Sequence, residues 1–96
     1  MYYVYFIENE TGKVYVGYTN DLRRRLKEHN SGKGGQYTKN KGPFELIYYE
    51  AYRSKDDAER REDNLKLHMR AYTQLKKRIE KSLLNNNEEN PTPIGD

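Results

Sequence analysis

Two short runs of strand-forming residues on either side of one tight turn constrain this chain more than any other feature. Residues 2–7, YYVYFI, are all aromatic or β-branched, and residues 13–17, KVYVG, follow across Asn9-Glu10-Thr11-Gly12. Aromatic and β-branched runs read as strands, and Asn, Thr and Gly supply turn chemistry. A connection this short makes an antiparallel hairpin the natural pairing. Strand alternation places Tyr3, Tyr5 and Ile7 on one face and Tyr2, Val4 and Phe6 on the other. In the second strand Tyr15 and Gly17 alternate against Val14 and Val16. A glycine at a strand end permits close approach of a substrate or of another element.

The remaining pattern predicts helices and one more strand. Thr19 or Asn20 can cap a helix over about 21–29. Asn30 to Gly35, NSGKGG, ends it. Residues 36–43 form a polar, basic loop closed by Gly42-Pro43, and residues 44–51, FELIYYEA, read as the third strand. Ser54-Lys55-Asp56-Asp57 resembles a capping box. Helical pattern continues from there to about Leu84, as one long helix or as two meeting near Arg70–Thr73. The order β-β-α-β-α-α gives an α+β fold with a small sheet. One domain over 1–84 is expected, with a disordered tail over 85–96, NNNEENPTPIGD, which is nearly devoid of apolar residues.

Composition narrows the function classes. The 96 residues include no cysteine, so disulfides and thiolate metal sites are excluded. No apolar run approaches the ~20 residues that span a bilayer, and the first ten residues lack a basic leader. A cytoplasmic protein without membrane contact is expected. Net charge is +3, unevenly spread: residues 11–41 carry eight basic side chains against Asp21 and Glu28, while residues 85–96 carry only acids. A basic patch on a balanced domain is the footprint of a polyanion binder, though many ordinary surfaces are basic.

Three features place polar groups where apolar ones are expected. On the first helix, the Leu22–Leu26 stripe extends to Arg25 and His29, while Arg23, Arg24 and Lys27 fall elsewhere. The plain reading is that Arg25 snorkels over the core and His29 frays at the helix end. On the second helix, Glu62 sits on the stripe of Ala58, Leu65 and Met69. A carboxylate there needs a partner, either an ordinary Arg or Lys or a metal ion. One oxygen ligand plus water suffices for Mg²⁺, which keeps much of its hydration shell. The third feature is the tyrosines, ten against two phenylalanines. Cross-strand packing explains most of them, and phenols with chemical work are the sharper reading.

The segments Tyr3-Val4-Tyr5, Tyr15-Val16-Gly17 and Tyr18 to His29, YTNDLRRRLKEH, resemble the GIY-YIG superfamily. They are most similar to its small standalone bacterial members, described as YhbQ-like or UvrC-like. Ser54 to Leu67 resembles the family's carboxylate-bearing helix, and the resemblance covers about residues 1–80. Tyr3 stands in place of the motif glycine, Val4 and Val16 in place of isoleucines, and Tyr18 where UvrC-type domains carry lysine. The resemblance implies a three-stranded antiparallel sheet flanked by helices. It implies metal-dependent endonuclease activity on DNA, branched or damaged, in repair or recombination. Tyr5, Tyr15, Arg25, His29 and Glu62 match the family's catalytic positions.

The expected chemistry is hydrolysis of a phosphodiester. Glu62 is expected to hold one Mg²⁺ or Mn²⁺ ion, and Arg25 to bind the scissile phosphate. Tyr15 or Tyr5 orients or activates water, with His29 assisting. Gly17, Tyr18, Arg23, Arg24, Lys27, Lys33, Lys39 and Lys41 are the expected nucleic-acid contacts. The protein is expected to be a monomer, with a separate protein partner able to supply targeting. Two rival readings stand beside this one. The first is a non-catalytic nucleic-acid binder using the basic loop and sheet aromatics. The second is a protein-interaction module on the stripe Tyr72, Leu75, Ile79 and Leu83.

Overall fold

The computed structural model describes residues 1–35, 38–67 and 69–83, with Met69 and Thr92–Pro93 by backbone only. The rest of the expected tail over 85–96 and the expected helix end at Leu84 lie outside the described residues. Three strands, β1 (Tyr2–Asn9), β2 (Val14–Thr19) and β3 (Phe44–Tyr52), alternate with helices α1 (Leu22–Asn30), α2 (Lys55–Leu67) and α3 (Met69–Arg78). A 3₁₀ turn, Glu80–Ser82, follows α3, and a two-residue strand, β4 (Thr92–Pro93), comes last. The sheet order is β3-β1-β2-β4, with β1 antiparallel to both neighbours and β4 parallel to β2.

The hairpin forms as its sequence predicts. Asn9 Oδ1 accepts from the Thr11 amide, the Thr11 hydroxyl and the Lys13 amide, and Gly12 takes φ +85. That side chain replaces bonds the turn backbone lacks. Because β1 is central, its two faces build two cores. Val4, Phe6, Val14 and Val16 meet Ala58, Leu65, Tyr72, Leu75 and Ile79 of the α2–α3 layer. Tyr5, Ile7, Tyr15 and Phe44 meet Leu22 and Leu26 of α1 on the opposite face. Full burial of a side chain such as Ile7 or Phe6 is worth ~1.5–3 kcal/mol.

β3 serves both cores through a bulge. Phe6 pairs with Tyr48 and Ile7 with Leu46, so Ile47 is the extra residue. An inserted residue shifts the pleat by one and changes which face the following side chains take. Leu46 thus joins the α1 core, while Ile47 and Tyr48 pack against the other. Glu50 ties β3 to α2. It accepts from Tyr48 at 2.7 Å, from Tyr52 at 2.6 Å and from Arg61 Nε and Nη2 at 2.8 and 3.0 Å.

Several expectations need correction. The α1 cap is Asp21, whose side chain accepts from the Arg24 amide at 3.0 Å. Thr19 instead accepts from the Asp21 amide at 3.1 Å, holding the turn that presents that cap. The helical stretch is two helices, and their junction at 67–69 precedes Arg70–Thr73. The stripe Tyr72, Leu75 and Ile79 is core, with Leu83 packed against it. It therefore leaves no free apolar face for an interaction module.

Candidate active site

The residues marked on α1 converge beneath one cleft. His29 is only 1% exposed, so it does not fray. Its Nε2 lies 2.8 Å from the Tyr5 hydroxyl, and its Nδ1 lies 2.8 Å from the Thr38 hydroxyl. All three side chains are buried. A neutral imidazole offers one donor and one acceptor, and two hydroxyls match that pair in either tautomer. An imidazolium would be a double donor in a site poor in solvent. Burial, and then the charge of Arg25, accordingly lower the His29 pKa from 6.5 to about 4, with Glu28 opposing. Thr38 carried no sequence signal, because it lies in a loop without periodicity.

Two glycines make this packing possible. Gly17 pairs with Tyr5 across β1–β2, and a Cβ there would stand 2.5 Å from the Tyr5 hydroxyl oxygen. The close approach permitted by Gly17 therefore belongs to Tyr5, and Gly17 is buried rather than open to a nucleic acid. A Cβ on Gly34 would collide with His29 Nδ1 and lie 2.7 Å from its Cα. The Gly34 carbonyl accepts from Arg25 Nη2 at 2.9 Å, and Glu28 accepts from Arg25 Nη1 at 3.1 Å. Arg25 is thus held against the segment that closes over His29.

Arg25 also lines a cleft of ≈ 370 Å³ with Tyr2, Tyr18, Thr19, Arg24 and Lys55. The cleft lies where β2 passes into α1 and where α2 begins, so it joins the two sides of the sheet. Tyr18 donates to Glu59 at 3.2 Å, and Glu59 also meets Lys55 at 3.7 Å. Arg24 donates to Asn20 at 3.2 Å. Glu28 lines the cleft as well and pairs with both arginines, as Glu59 does with Lys55, so three cations stand against one lining carboxylate and an anionic ligand would compete with these pairs. Arg23, Lys27, Lys33, Lys39 and Lys41 are exposed around the α1 side of the molecule.

Tyr15 and Glu62 stand apart from that array. Tyr15 is fully buried, edge-on to Phe44 with ring centroids 5.4 Å apart. Its hydroxyl has no hydrogen-bond partner among the described residues, and burial raises its pKa. Glu62 is 7% exposed on α2, across the sheet from Tyr5 and His29. Its Oε2 lies 3.0 Å from Lys66 Nζ. The ordinary ion pair is therefore present. Among the described residues no three His, Cys, Asp or Glu side chains converge on one point. A lone oxygen donor suits a single, largely hydrated Mg²⁺ or Mn²⁺ ion, whose shell water completes, once Lys66 gives up the carboxylate. It does not fit an ion that needs an all-protein cage.

Residues 1–77 match the GIY-YIG catalytic domain. The chain belongs to the GIY-YIG family. It is 48% identical over 65 residues to a UPF0213 protein of Halalkalibacterium halodurans, covering 68% of this chain and 69% of the relative. It is 45% identical over 71 residues to a UPF0213 protein of Halobacterium salinarum, covering 74% and 92%. A solution NMR structure of a UPF0213 protein from Bacillus halodurans aligns at 43% identity over 94% of this chain and 93% of that one, with a TM-score of 0.49. GIY-YIG is a nuclease family, and its nucleases act on DNA. The name UPF0213 states no activity. In GIY-YIG terms, the first motif supplies Tyr5 to the buried chain. The second supplies the partnerless hydroxyl of Tyr15 and the glycine against which Tyr5 packs. No helix among the described residues is long and apolar enough to cross a membrane.

Proposed function

We propose that this GIY-YIG protein is a cytoplasmic endonuclease that hydrolyses DNA phosphodiester bonds, with one Mg²⁺ or Mn²⁺ ion at Glu62, in repair or recombination. The observation that carries the reading is the position of Arg25. It is the one candidate that lines the cationic cleft and is also locked to the segment closing over Tyr5 and His29. A guanidinium so fixed grips a phosphate in two-pronged fashion and opposes charge that grows in the transition state. Arg24 and Lys55 hold neighbouring phosphate oxygens.

Tyr15, buried against Phe44 and outside the cleft lining, would orient the attacking water only if water enters beside its hydroxyl when substrate binds. A buried hydroxyl without a partner costs roughly 1–3 kcal/mol, and such a group is retained where a ligand or water completes it. Its raised pKa keeps it a phenol at neutral pH, so it directs water by hydrogen bonding. His29, neutral at that pH, fixes the Tyr5 hydroxyl rather than donating a proton as imidazolium. Glu62 would hold the ion, which would supply neutralisation of a phosphate oxygen; because Glu62 does not line the cleft, the substrate backbone would have to run from Arg25 past Lys55 onto α2. The second reading is a binder without catalysis. Lys66 favours it, because its ammonium already neutralises Glu62.

Supercoiled plasmid and branched DNA incubated with Mg²⁺, Mn²⁺ or EDTA, with Arg25→Ala alongside, test the proposal. Metal-dependent nicking that disappears in Arg25→Ala is expected. Nicking retained by Arg25→Ala removes Arg25 from the reaction. Salt-sensitive binding with no nicking under any condition favours the binder.

A further inference from the structure

Tyr5, His29 and Thr38 bring three protons, two on hydroxyls and one on the neutral imidazole, to two hydrogen bonds. One hydroxyl proton is therefore surplus, and the tautomer of His29 decides which. If Nδ1 carries the ring proton, Nδ1–H donates to Thr38, Tyr5 donates to Nε2, and the Thr38 proton is left over. If Nε2 carries it, Thr38 donates to Nδ1, Nε2–H donates to Tyr5, and the Tyr5 proton is left over. The ring is satisfied either way, so the hydroxyls make the choice.

The Thr38 hydroxyl cannot hold the surplus. Thr38 is 0% exposed, and Nδ1 at 2.8 Å is its only side-chain hydrogen-bond partner among the described residues. A proton turned away from Nδ1 there would be buried without an acceptor. The hydroxyl is also fixed in place. The Lys41 amide donates to the Thr38 carbonyl at 3.2 Å, across a turn in which Asn40 takes φ +62. Gly34 lets the same segment close on the ring, and its carbonyl accepts from Arg25. Thr38 accordingly donates to Nδ1, and Nε2–H donates to Tyr5. We propose that Thr38 is a positioning residue for the phosphodiester chemistry. Its hydroxyl pins His29 as the Nε2–H tautomer, which turns the Tyr5 proton away from the ring. Tyr5 then meets the substrate as a hydrogen-bond donor, and the bond its own oxygen accepts strengthens that donation. This rests on the nuclease reading of the site.

The tautomer is read on the whole protein, ¹⁵N-labelled, by long-range ¹H–¹⁵N correlation of the imidazoles at neutral pH, without DNA or metal. The spectrum of His29→Gln identifies the His29 signals. Wild type should show Nε2 protonated and Nδ1 without a proton. Nδ1 protonated instead overturns the proposal, whatever the variants do. Thr38→Val keeps the shape and removes the hydroxyl, while Thr38→Ser keeps the hydroxyl. Leaving a buried proton unpaired is worth a factor of roughly 5–150 in an equilibrium. The ratio of Nε2–H to Nδ1–H should fall by that factor in Thr38→Val and stay near the wild-type value in Thr38→Ser. An unmoved ratio in Thr38→Val overturns the proposal. With plasmid and Mg²⁺ or Mn²⁺, Thr38→Val should lower the maximal nicking rate at unchanged DNA affinity, and Thr38→Ser should restore it. Undiminished nicking by Thr38→Val removes Thr38 from the reaction. Wild type that shows the expected tautomer but does not nick brings down the nuclease reading and the positioning role with it, while Thr38 remains the group that fixes the tautomer.

Discussion

The buried Tyr5–His29–Thr38 chain makes a quantitative claim about acid stability. His29 has a pKa of about 4 in the folded protein against an ordinary 6.5. Between those values the unfolded chain binds the proton and the folded chain does not, so stability falls as pH falls. The contribution is whole above pH 6.5 and is gone below about 4. In full it amounts to about 3 kcal/mol, and linkage puts about 2 kcal/mol of loss between about pH 7.5 and about pH 5. With an m-value of ~1–2 kcal/mol/M, the urea midpoint should drop by about 1–2 M over that interval. Glu50 does not confuse the reading. Burial raises its pKa, but the bonds from Arg61, Tyr52 and Tyr48 outweigh that and bring it to about 2, against an ordinary 4.5. Its contribution is therefore present above pH 4.5 and lost only as pH falls toward 2. The assay is urea unfolding of wild type and His29→Gln at both pH values, where the difference isolates the His29 contribution. The wild type should lose about 2 kcal/mol more than the variant. Equal losses in the two proteins would refute the claim that His29 is held neutral by its surroundings.

Gly17→Ala places a Cβ 2.5 Å from the Tyr5 hydroxyl oxygen, which the His29 bond holds in place. Overpacking of this kind costs ~1–3 kcal/mol, and the melting temperature should fall by about 4–8 °C per kcal/mol. An unchanged melting temperature would mean that Tyr5 moves aside freely. Lys66→Met removes the ammonium from Glu62 while keeping most of the unbranched side chain. Mn²⁺ or Mg²⁺ should then raise the melting temperature of this variant more than that of wild type, and no ion effect on either protein would exclude Glu62 as a metal ligand.

Much of this arrangement was legible in the sequence because it depends on local periodicity. The alternation in YYVYFI and KVYVG sets which side chains face which helix, and the structure follows it residue for residue. Arg25, His29 and Glu62 stood out as polar groups on apolar stripes, and all three are buried or nearly so. Periodicity fails where the chain leaves regular structure. Three adjacent capping residues, Thr19, Asn20 and Asp21, are equivalent by composition, and only the turn geometry selects Asp21. The bulge at Ile47 is invisible for the same reason, since FELIYYEA has apolar residues at both parities. The junction at 67–69 carries no glycine or proline to mark it.

Thr38 shows where such a reading ends. Nothing in the spacing connects it to His29, and the bond exists because Gly34 lets the loop close on the histidine ring. The same loop gives its Gly34 carbonyl to Arg25. One glycine therefore couples Arg25, which lines the cleft, to the residues buried beneath it. This coupling explains how a short helix carrying consecutive arginines, Arg23 to Arg25, distinguishes among them. Arg23 and Arg24 are exposed, whereas the Arg25 side chain is 15% exposed and held by two bonds. A flexible exposed arginine loses rotamer freedom on gripping a phosphate, roughly 2 kcal/mol in full. Arg25 has given up most of that freedom in folding, so in the phosphate-binding role we propose for it the guanidinium is preorganised in a way its neighbours cannot match.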